Sequence, residues 1–352
     1  MIKAAIRAID YFLPEGALTN ANLSAEFPEW SVEKIEEKTG IAERRIAGAC
    51  ECSSDLAVAA AKRLFQTGVC GPNDVDFLLL CTQSPDYFLP TTACLIQERL
   101  GVPNTAGALD FNLGCSGFVY GLGLAKGLIE TGQAKSVLLI TAETYSKFIH
   151  PRDKSVRTIF GDAAAATLIQ GVESNDGEPG EELIGPFVFG TDGRGAKNLI
   201  VPTGGMRQRT ALAEGPMESD GEGNFRTPNN LFMDGAEIFT FTLSAVPKSV
   251  RDLLQRSRKT PEEIDLFVFH QANQYMLEHL RKKLKLPPEK FYLALHDCGN
   301  TVSSTIPIAL RYAADEGKLR PGHLVMLVGF GVGYSWAAAL IRWIGEEKFA
   351  SR

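Results

Sequence analysis

Basic charge is in short supply in this chain, and with it go several classes of protein. Acidic residues outnumber Lys and Arg by 42 to 36, for a net charge of −6. A nucleic-acid binder would show a basic face, so that class is excluded. No apolar run reaches the roughly 20 residues of a membrane helix. The opening MIKAAIRAIDYFLPEG lacks a signal-peptide pattern, so the expected location is the cytoplasm, with no membrane partner. Seven cysteines, at positions 50, 52, 70, 81, 94, 115 and 298, are odd in number and show no CxxC or metal-finger spacing. That excludes a disulfide framework and structural zinc and predicts reduced thiols. What remains is 352 residues at 45% hydrophobic and 22% charged, enough for two domains around a shared core.

One stretch organises the rest: Asp110 to Leu128, DFNLGCSGFVYGLGLAKGL. It reads as a strand running into a tight turn, with Cys115 at the first turn of a buried helix. Unpaired N–H groups and the positive end of the helix dipole favour thiolate there, which makes a better nucleophile. On this stretch alone Cys115 is equally a small buried core residue.

Along the chain, residues 2–9 read as a first strand and Trp30 to Lys38 as an amphipathic helix closed by Thr39-Gly40. Arg44 and Arg45 read as a solvated face. A helix spans Asp55 to Gln66, FLLLC is a buried strand, and so is KSVLLITAET. Residues 171–183, polar and glycine-rich, read as the link between a first half (1–175) and a second (176–352). Residues 202–230 form a long loose stretch, of the kind that is functional or mobile.

The second half repeats the first. After a helix expected at 244–258, TPEEIDLFVFHQAN matches GPNDVDFLLLCTQS, which puts Cys81 and His270 at equivalent strand ends 189 residues apart. GHLVMLVGF matches KSVLLITAE with Val325 against Val137, and CGNTVSSTIPIALRYA stands where NLGCSGFVYGLGLAKG stands. A repeat at nearly constant offset implies two similar α/β halves facing each other, each with a mostly parallel sheet and crossover helices. Loops at the strand ends then converge on one crevice. Cys115, His270 and Asn300 fall at its corresponding corners.

Cysteine with histidine and asparagine suggests either a thiol hydrolase or an acyl transferase. In the second case His270 and Asn300 point two N–H donors at one carbonyl and stabilise the enolate left when a malonyl thioester loses carbon dioxide. The acyl-cysteine's own oxyanion needs backbone donors, which Cys115 and the turn GFGVG (329–333) can supply.

Taken jointly, DFNLGCSGF, FHQAN, GNT and GFGVG, with KTGIAERRI, FLPTTACLIQERLG, FGDAAAATLI and SWAAALIRW, resemble the β-ketoacyl-acyl-carrier-protein synthase III group of condensing enzymes over nearly the whole chain. The resemblance implies a thiolase-like duplicated α/β fold, layered α-β-α-β-α. It implies decarboxylative condensation of an acyl thioester with malonyl-acyl carrier protein, without a cofactor or metal, in fatty acid biosynthesis or a specialised relative. By resemblance Cys115 takes the acyl group, His270 and Asn300 assist decarboxylation, and the N–H groups of Cys115 and Val332 form the oxyanion hole. The family is dimeric, so Phe88 and Leu89 are expected to reach the neighbouring subunit's acyl pocket. Acyl-coenzyme A and acyl carrier protein are the expected partners, with Lys38, Lys282 and Lys283 candidates for gripping them.

The sequence departs from the family in places. Lys34 and Lys38 stand where a tryptophan and an arginine are usual before TG, with Trp30 further upstream. Tyr275 replaces an arginine, Val332 replaces a glycine, and the 202–230 stretch is long. A degradative thiolase needs a second cysteine in the closing glycine motif, which GFGVG lacks. A hydroxymethylglutaryl-type synthase needs a glutamate base, for which Glu143 is the nearby candidate. Acyl transfer to a nucleophile other than carbon would have little use for Asn300. A non-catalytic partner subunit would have little use for Cys115.

Overall fold

The computed structural model describes residues 1–173, 182–209, 217–221 and 223–345. Its first sheet contains β1 (Ile2–Phe12), β2 (Phe77–Cys81), β3 (Gly107–Phe111), β4 (Ser136–Glu143) and β5 (Ala163–Glu173), in the order β1-β5-β4-β2-β3. The second contains β6 (Ile184–Thr191), β7 (Leu266–Phe269), β8 (Leu324–Gly331) and β9 (Ser335–Arg342), in the order β7-β8-β9-β6. Every residue of β4 and β8 is buried. That is why these strands read as continuous apolar runs rather than alternating ones.

The internal repeat is visible in the register. Phe77 pairs with Val137 in the first sheet, and Leu266 pairs with Val325 in the second. One strand further on, Val137 faces Ile169 and Val325 faces Ile341. The pattern closes with Ile6 opposite Ile169 and Ile184 opposite Ile341. Parallel pairing is confined to β2–β3, β2–β4 and β7–β8, with the remaining pairs antiparallel, so each sheet is mixed rather than mostly parallel. Chain economy explains β8–β9: residues 332–334 alone join them, which leaves room only for a hairpin.

Helices fill the layers. On the outer face of the first sheet lie α1 (Ser53–Gln66) and α2 (Thr92–Leu100); between the sheets lie α3 (Gly117–Glu130) and, later in the chain, α6 (Thr305–Asp315). The far side of the second sheet is covered by α4 (Gly235–Ser257) with α5 (Gln274–Leu284) packed on it. The result is the five-layer α-β-α-β-α stack. A Cβ at Gly121 would stand 2.6 Å from Leu139 Cδ1, so small residues let α3 sit tightly between the two sheets.

Several local expectations change. α4 starts nine residues before the expected position 244, capped by Asp234, whose side chain accepts from the Glu237 N–H. Pro247 lies inside the expected span as well as the observed one, and the helix holds because its apolar side is buried on the second sheet. Arg44 is not solvated: it is 0% exposed, donates from Nε to the Thr158 carbonyl at 2.9 Å and from Nη1 to Asn20 Oδ1, and burial lowers its pKa to about 9. The proposed division at 175/176 lies outside the described residues.

Candidate active site

Cys115 sits in the turn between the end of β3 at Phe111 and the start of α3 at Gly117, two residues ahead of the helix rather than within its first turn. It is 6% exposed. β8 runs directly across it. A Cβ at Gly331 would stand 2.8 Å from Cys115 Sγ, and one at Gly329 would stand 2.7 Å from Ser116 Cα. Only glycine lets the strand pass so close to the turn that carries Cys115. On the other side, a Cβ at Gly114 would meet Gln83 Oε1 at 2.5 Å and Val332 Cγ1 at 2.8 Å. The Val332 side chain thus occupies space that Gly114 leaves open.

Electrostatics at the thiol run against the simple helix-dipole expectation. Burial, with the Glu143 carboxylate adding to it, pushes the Cys115 thiol up to about 12. The backbone N–H groups of Cys115 and Val332 both face the sulfur and oppose that rise. Desolvation wins because, among the described residues, no cation stands close enough to offset it. The two N–H groups expected as oxyanion donors thus both lie against the Cys115 sulfur.

His270 follows directly after β7 and is 2% exposed; its N–H donates to the Val328 carbonyl at 2.8 Å. The ring stands edge-on to Phe330, with centroids 5.5 Å apart, one residue before the glycine that touches Cys115. Burial lowers its pKa to about 3, partly offset by the Val302 backbone, so the ring is neutral. Nδ1 lies 2.8 Å from Thr305 Oγ1, and that hydroxyl also lies 3.0 Å from the Val302 carbonyl. The hydroxyl has one proton: given to the Val302 carbonyl it leaves Nδ1 as the donor and Nε2 as an acceptor, whereas turned to Nδ1 it leaves Nε2 with the ring proton as a donor.

Asn300 is 4% exposed, and its backbone is clamped by the first half. Its N–H donates to the Ile159 carbonyl at 2.9 Å and its carbonyl accepts from the Gly161 N–H at 3.0 Å. Its side-chain Oδ1 accepts from the Val302 N–H at 2.9 Å, and Val302 adopts φ 55° to make that contact. With Oδ1 engaged, the amide NH2 is the group left to donate.

Glu143, at the end of β4, is a buried acid beside this centre that the motifs underplay. It is 0% exposed, and Ser303 Oγ donates to Oε1 at 2.7 Å, the Gln83 N–H to Oε2 at 3.0 Å and Ser84 Oγ to Oε2 at 3.3 Å. Tyr145, 4% exposed, donates its hydroxyl to Gln83 Oε1 at 2.8 Å beside the same turn. An acidic residue closing an otherwise apolar strand was the sequence signal for Glu143. Thr305 and Ser303 carried no signal beyond their nearness to Asn300.

A cavity of about 520 Å³ is lined by Trp30, Lys38, Lys154, Ile159 and Asn273 among others, and Ile159 links it to this centre through the carbonyl that accepts from the Asn300 N–H. Lys38 Nζ lies 5.1 Å from the Trp30 ring centroid and Lys34 Nζ 5.4 Å. Trp30 therefore belongs to this wall despite its upstream position. Lys154, 9% exposed on its side chain, pairs with Glu29 at 2.5 Å. Part of the 202–230 stretch supplies another wall: the short strands Glu218–Ser219 and Phe225–Arg226 pair, Asn224 lines the cavity, and Arg226 pairs with Asp153 at 3.4 Å. Residues 210–216 and 222 of that stretch lie outside the described residues. Lys282 and Lys283 are exposed in the last turn of α5 and do not line this cavity. Phe88 and Leu89 stand out on the surface, 75% and 86% exposed. His296 is a surface residue 3.5 Å from Glu36. Among the described residues no group of three or more His, Cys, Asp or Glu is placed to hold a metal ion, and no helix is long and apolar enough to cross a membrane.

Comparison with known proteins gives the family. Residues 109–193 match the family model "3-Oxoacyl-[acyl-carrier-protein (ACP)] synthase III" and residues 254–343 match the model of its C-terminal region. A beta-ketoacyl-[acyl-carrier-protein] synthase III of Caldanaerobacter subterraneus subsp. tengcongensis is 39% identical, over 97% of this chain and 98% of its own length. A crystal structure of a 3-oxoacyl-(acyl-carrier-protein) synthase III superposes with a TM-score of 0.94 at 54% identity, covering 97% of this chain and 100% of that one. The 3-oxoacyl-(acyl-carrier protein) synthase of Burkholderia xenovorans LB400 gives 0.88 at 36% identity, over 99% and 96% of the two chains. The chain belongs to the β-ketoacyl-[acyl-carrier-protein] synthase III family, the condensing acyltransferases of fatty acid biosynthesis.

Proposed function

We propose that Cys115 carries the acyl group and that the second half of the chain supplies the decarboxylation machinery. In the first step Cys115 Sγ attacks the carbonyl of an acyl thioester. The N–H groups of Cys115 and Val332 hold the oxyanion, and the donor's thiolate leaves with the proton that the cysteine gives up. In the second step the thioester carbonyl of malonyl-carrier protein accepts from Asn300 Nδ2 and from His270 Nε2. Loss of carbon dioxide leaves an enolate held by those two donors. Its carbon attacks the acyl-cysteine, a carbon–carbon bond forms, and the Cys115 thiolate is released and reprotonated.

The observation that carries this division is the burial of His270 and of the thiol, which disfavours charge on both. A papain-like hydrolase works through a thiolate–imidazolium pair. Burial disfavours both of those ions here, and neutral Nε2–H and amide donors suit an enolate.

The 520 Å³ cavity is the proposed thioester entrance, with Lys38 and Trp30 at its rim for a phosphate-bearing donor, coenzyme A or carrier protein. Lys282 and Lys283 are the proposed outer contacts of an acidic carrier. No cofactor enters the scheme. A homodimer is the proposed assembly. β3 is an open sheet edge, exposed Leu109, Leu124 and Phe189 lie near it, and an apolar hollow of about 710 Å³ sits beside it. Phe88 and Leu89 are free to reach the second subunit's acyl site. All seven cysteines are free thiols, in keeping with a cytoplasmic location.

Intact mass after incubation with acyl-coenzyme A and acyl-carrier thioesters of graded length tests the scheme. One donor should add its acyl mass to the wild type and not to Cys115→Ala. Loading that survives Cys115→Ala would end the assignment.

A further inference from the structure

Glu143 is a buried acid that the two-step scheme leaves idle, yet it stands between the two halves of the machinery. Its Oε2 holds the Gln83 N–H, and the Gln83 side chain closes against Gly114, next to the nucleophile. Its Oε1 holds Ser303, in the turn Val302–Ser304 between Asn300 and Thr305. The titratable groups that interact with it are Cys81 at the end of β2, Cys115 before α3, Tyr145 after β4 and Asp162 before β5. None of these is a cation.

We propose that Glu143 is a positioning residue for acyl loading, braced between Gln83 and Ser303 and kept as the neutral acid while Cys115 ionises. The inference rests on Cys115 being the nucleophile. A carboxylate with no cation beside it is costly to bury, and desolvation raises the Glu143 pKa to about 8 in spite of three hydrogen-bond donors. As the neutral acid it fits the same site: Oε2 keeps the Gln83 and Ser84 donors, while a proton on Oε1 is given to Ser303 Oγ, whose hydroxyl turns to accept. Once ionised, it places a negative charge against the sulfur that must itself become negative. Glu143 exchanges no proton with substrate in this role; it keeps the one it holds.

The test is the rate of Cys115 alkylation by iodoacetamide between pH 6 and 10, read by peptide mapping because Cys50 and Cys94 are exposed and react too. Thiol and carboxyl titrate as a coupled pair. In the wild type the logarithm of the rate should rise with pH, flatten as Glu143 ionises and then resume. Glu143→Gln should match the wild type near pH 6 and run about tenfold faster by pH 9, the effect of removing one nearby like charge. Glu143→Ala, which removes the brace as well, should load acyl groups poorly at every pH. A wild-type profile without the flattening, or a Glu143→Gln profile that follows the wild type throughout, would overturn the proposal. So would Glu143→Gln loading as poorly as Glu143→Ala at pH 6, since the ionised carboxylate would then be the working form. The wild-type curve decides the matter even if the glutamine variant fails to fold. Acyl loading of the wild type, measured alongside, separates the two readings: its absence would remove the nucleophile assignment, whereas an unperturbed alkylation profile would remove only the role of Glu143.

Discussion

Asn300→Ala should separate the two steps of the reaction. Two quantities change. The first is the loss of the Nδ2 donor to the enolate. Removing one oxyanion-hole donor elsewhere costs about 100- to 1,000-fold, or roughly 2.7–4 kcal/mol, and decarboxylation should fall by that order. The second is structural: the Val302 N–H, now held at 2.9 Å by Oδ1, is left without an acceptor inside the protein. Val302 is 0% exposed, so that donor pays its full desolvation cost, about 1–3 kcal/mol of stability. The backbone of residue 300 should stay in place, because its clamps to Ile159 and Gly161 do not involve the side chain. Asn300→Asp isolates the first quantity, since a carboxylate oxygen still accepts from Val302 while no donor remains above the carboxylate pKa. Three readouts suffice: carbon dioxide release from malonyl-carrier protein, acyl loading by intact mass, and the urea midpoint. Decarboxylation should drop in both variants, stability chiefly in the alanine variant, and loading in neither. Equal loss of loading and decarboxylation in Asn300→Asp would refute this division of labour.

Three further perturbations follow from the same geometry. Thr305→Val removes the hydroxyl 2.8 Å from His270 Nδ1 and should slow decarboxylation roughly tenfold, the worth of one ordinary hydrogen bond, with loading unchanged; a loss of loading instead would show that the ring acts on the thiol. Gly114→Ala puts a methyl 2.5 Å from Gln83 Oε1 and 2.8 Å from Val332 Cγ1, so loading should fall, and Val332→Gly should restore part of it as a coupled pair does; strictly additive effects would mean the two do not share that space. Stability should also depend on pH in two windows. Glu143 binds its proton more tightly folded (about 8) than unfolded (near 4.5), so its contribution declines as pH rises through that range; His270, depressed to about 3, contributes fully above about 6.5 and loses its contribution as pH falls. Urea midpoints from pH 4 to 9 should show both flanks, and Glu143→Gln should flatten the alkaline one.

Much of the architecture was legible because it is written twice. The matched strand ends at Cys81 and His270 and the matched runs at Val137 and Val325 carry nearly the sheet register that the structure shows, which brings Cys115, His270 and Asn300 together without any long-range information beyond the repeat. What was not legible depends on burial. The sequence presents Arg44 beside Arg45 in ERRI, and nothing local says that one of them points at the Thr158 carbonyl and is fully enclosed while the other meets Glu43 at 2.7 Å. The first nine residues of α4 were not legible because what holds them is the sheet that the helix covers, not a local signal. Trp30 was displaced in sequence but not in space, since the turn after residue 27 and the following helix bring it over Lys34 and Lys38.

The thiol is the instructive case. A helix N-terminus next to a cysteine argues for a lowered pKa, and that argument is sound for an accessible turn. Here β8 closes over the sulfur, and the desolvation it imposes is larger than the help of two N–H groups. Both effects come from the same feature, because the glycines that bring Val332 N–H within reach of Cys115 are the ones that let the strand exclude water. A site built this way holds its thiol protonated at rest. The N–H groups do more for an oxyanion formed on a bound thioester than for the free sulfur, so reactivity depends on a substrate being present. That dependence suits an enzyme whose covalent intermediate must wait for a carbanion and must not be lost to water.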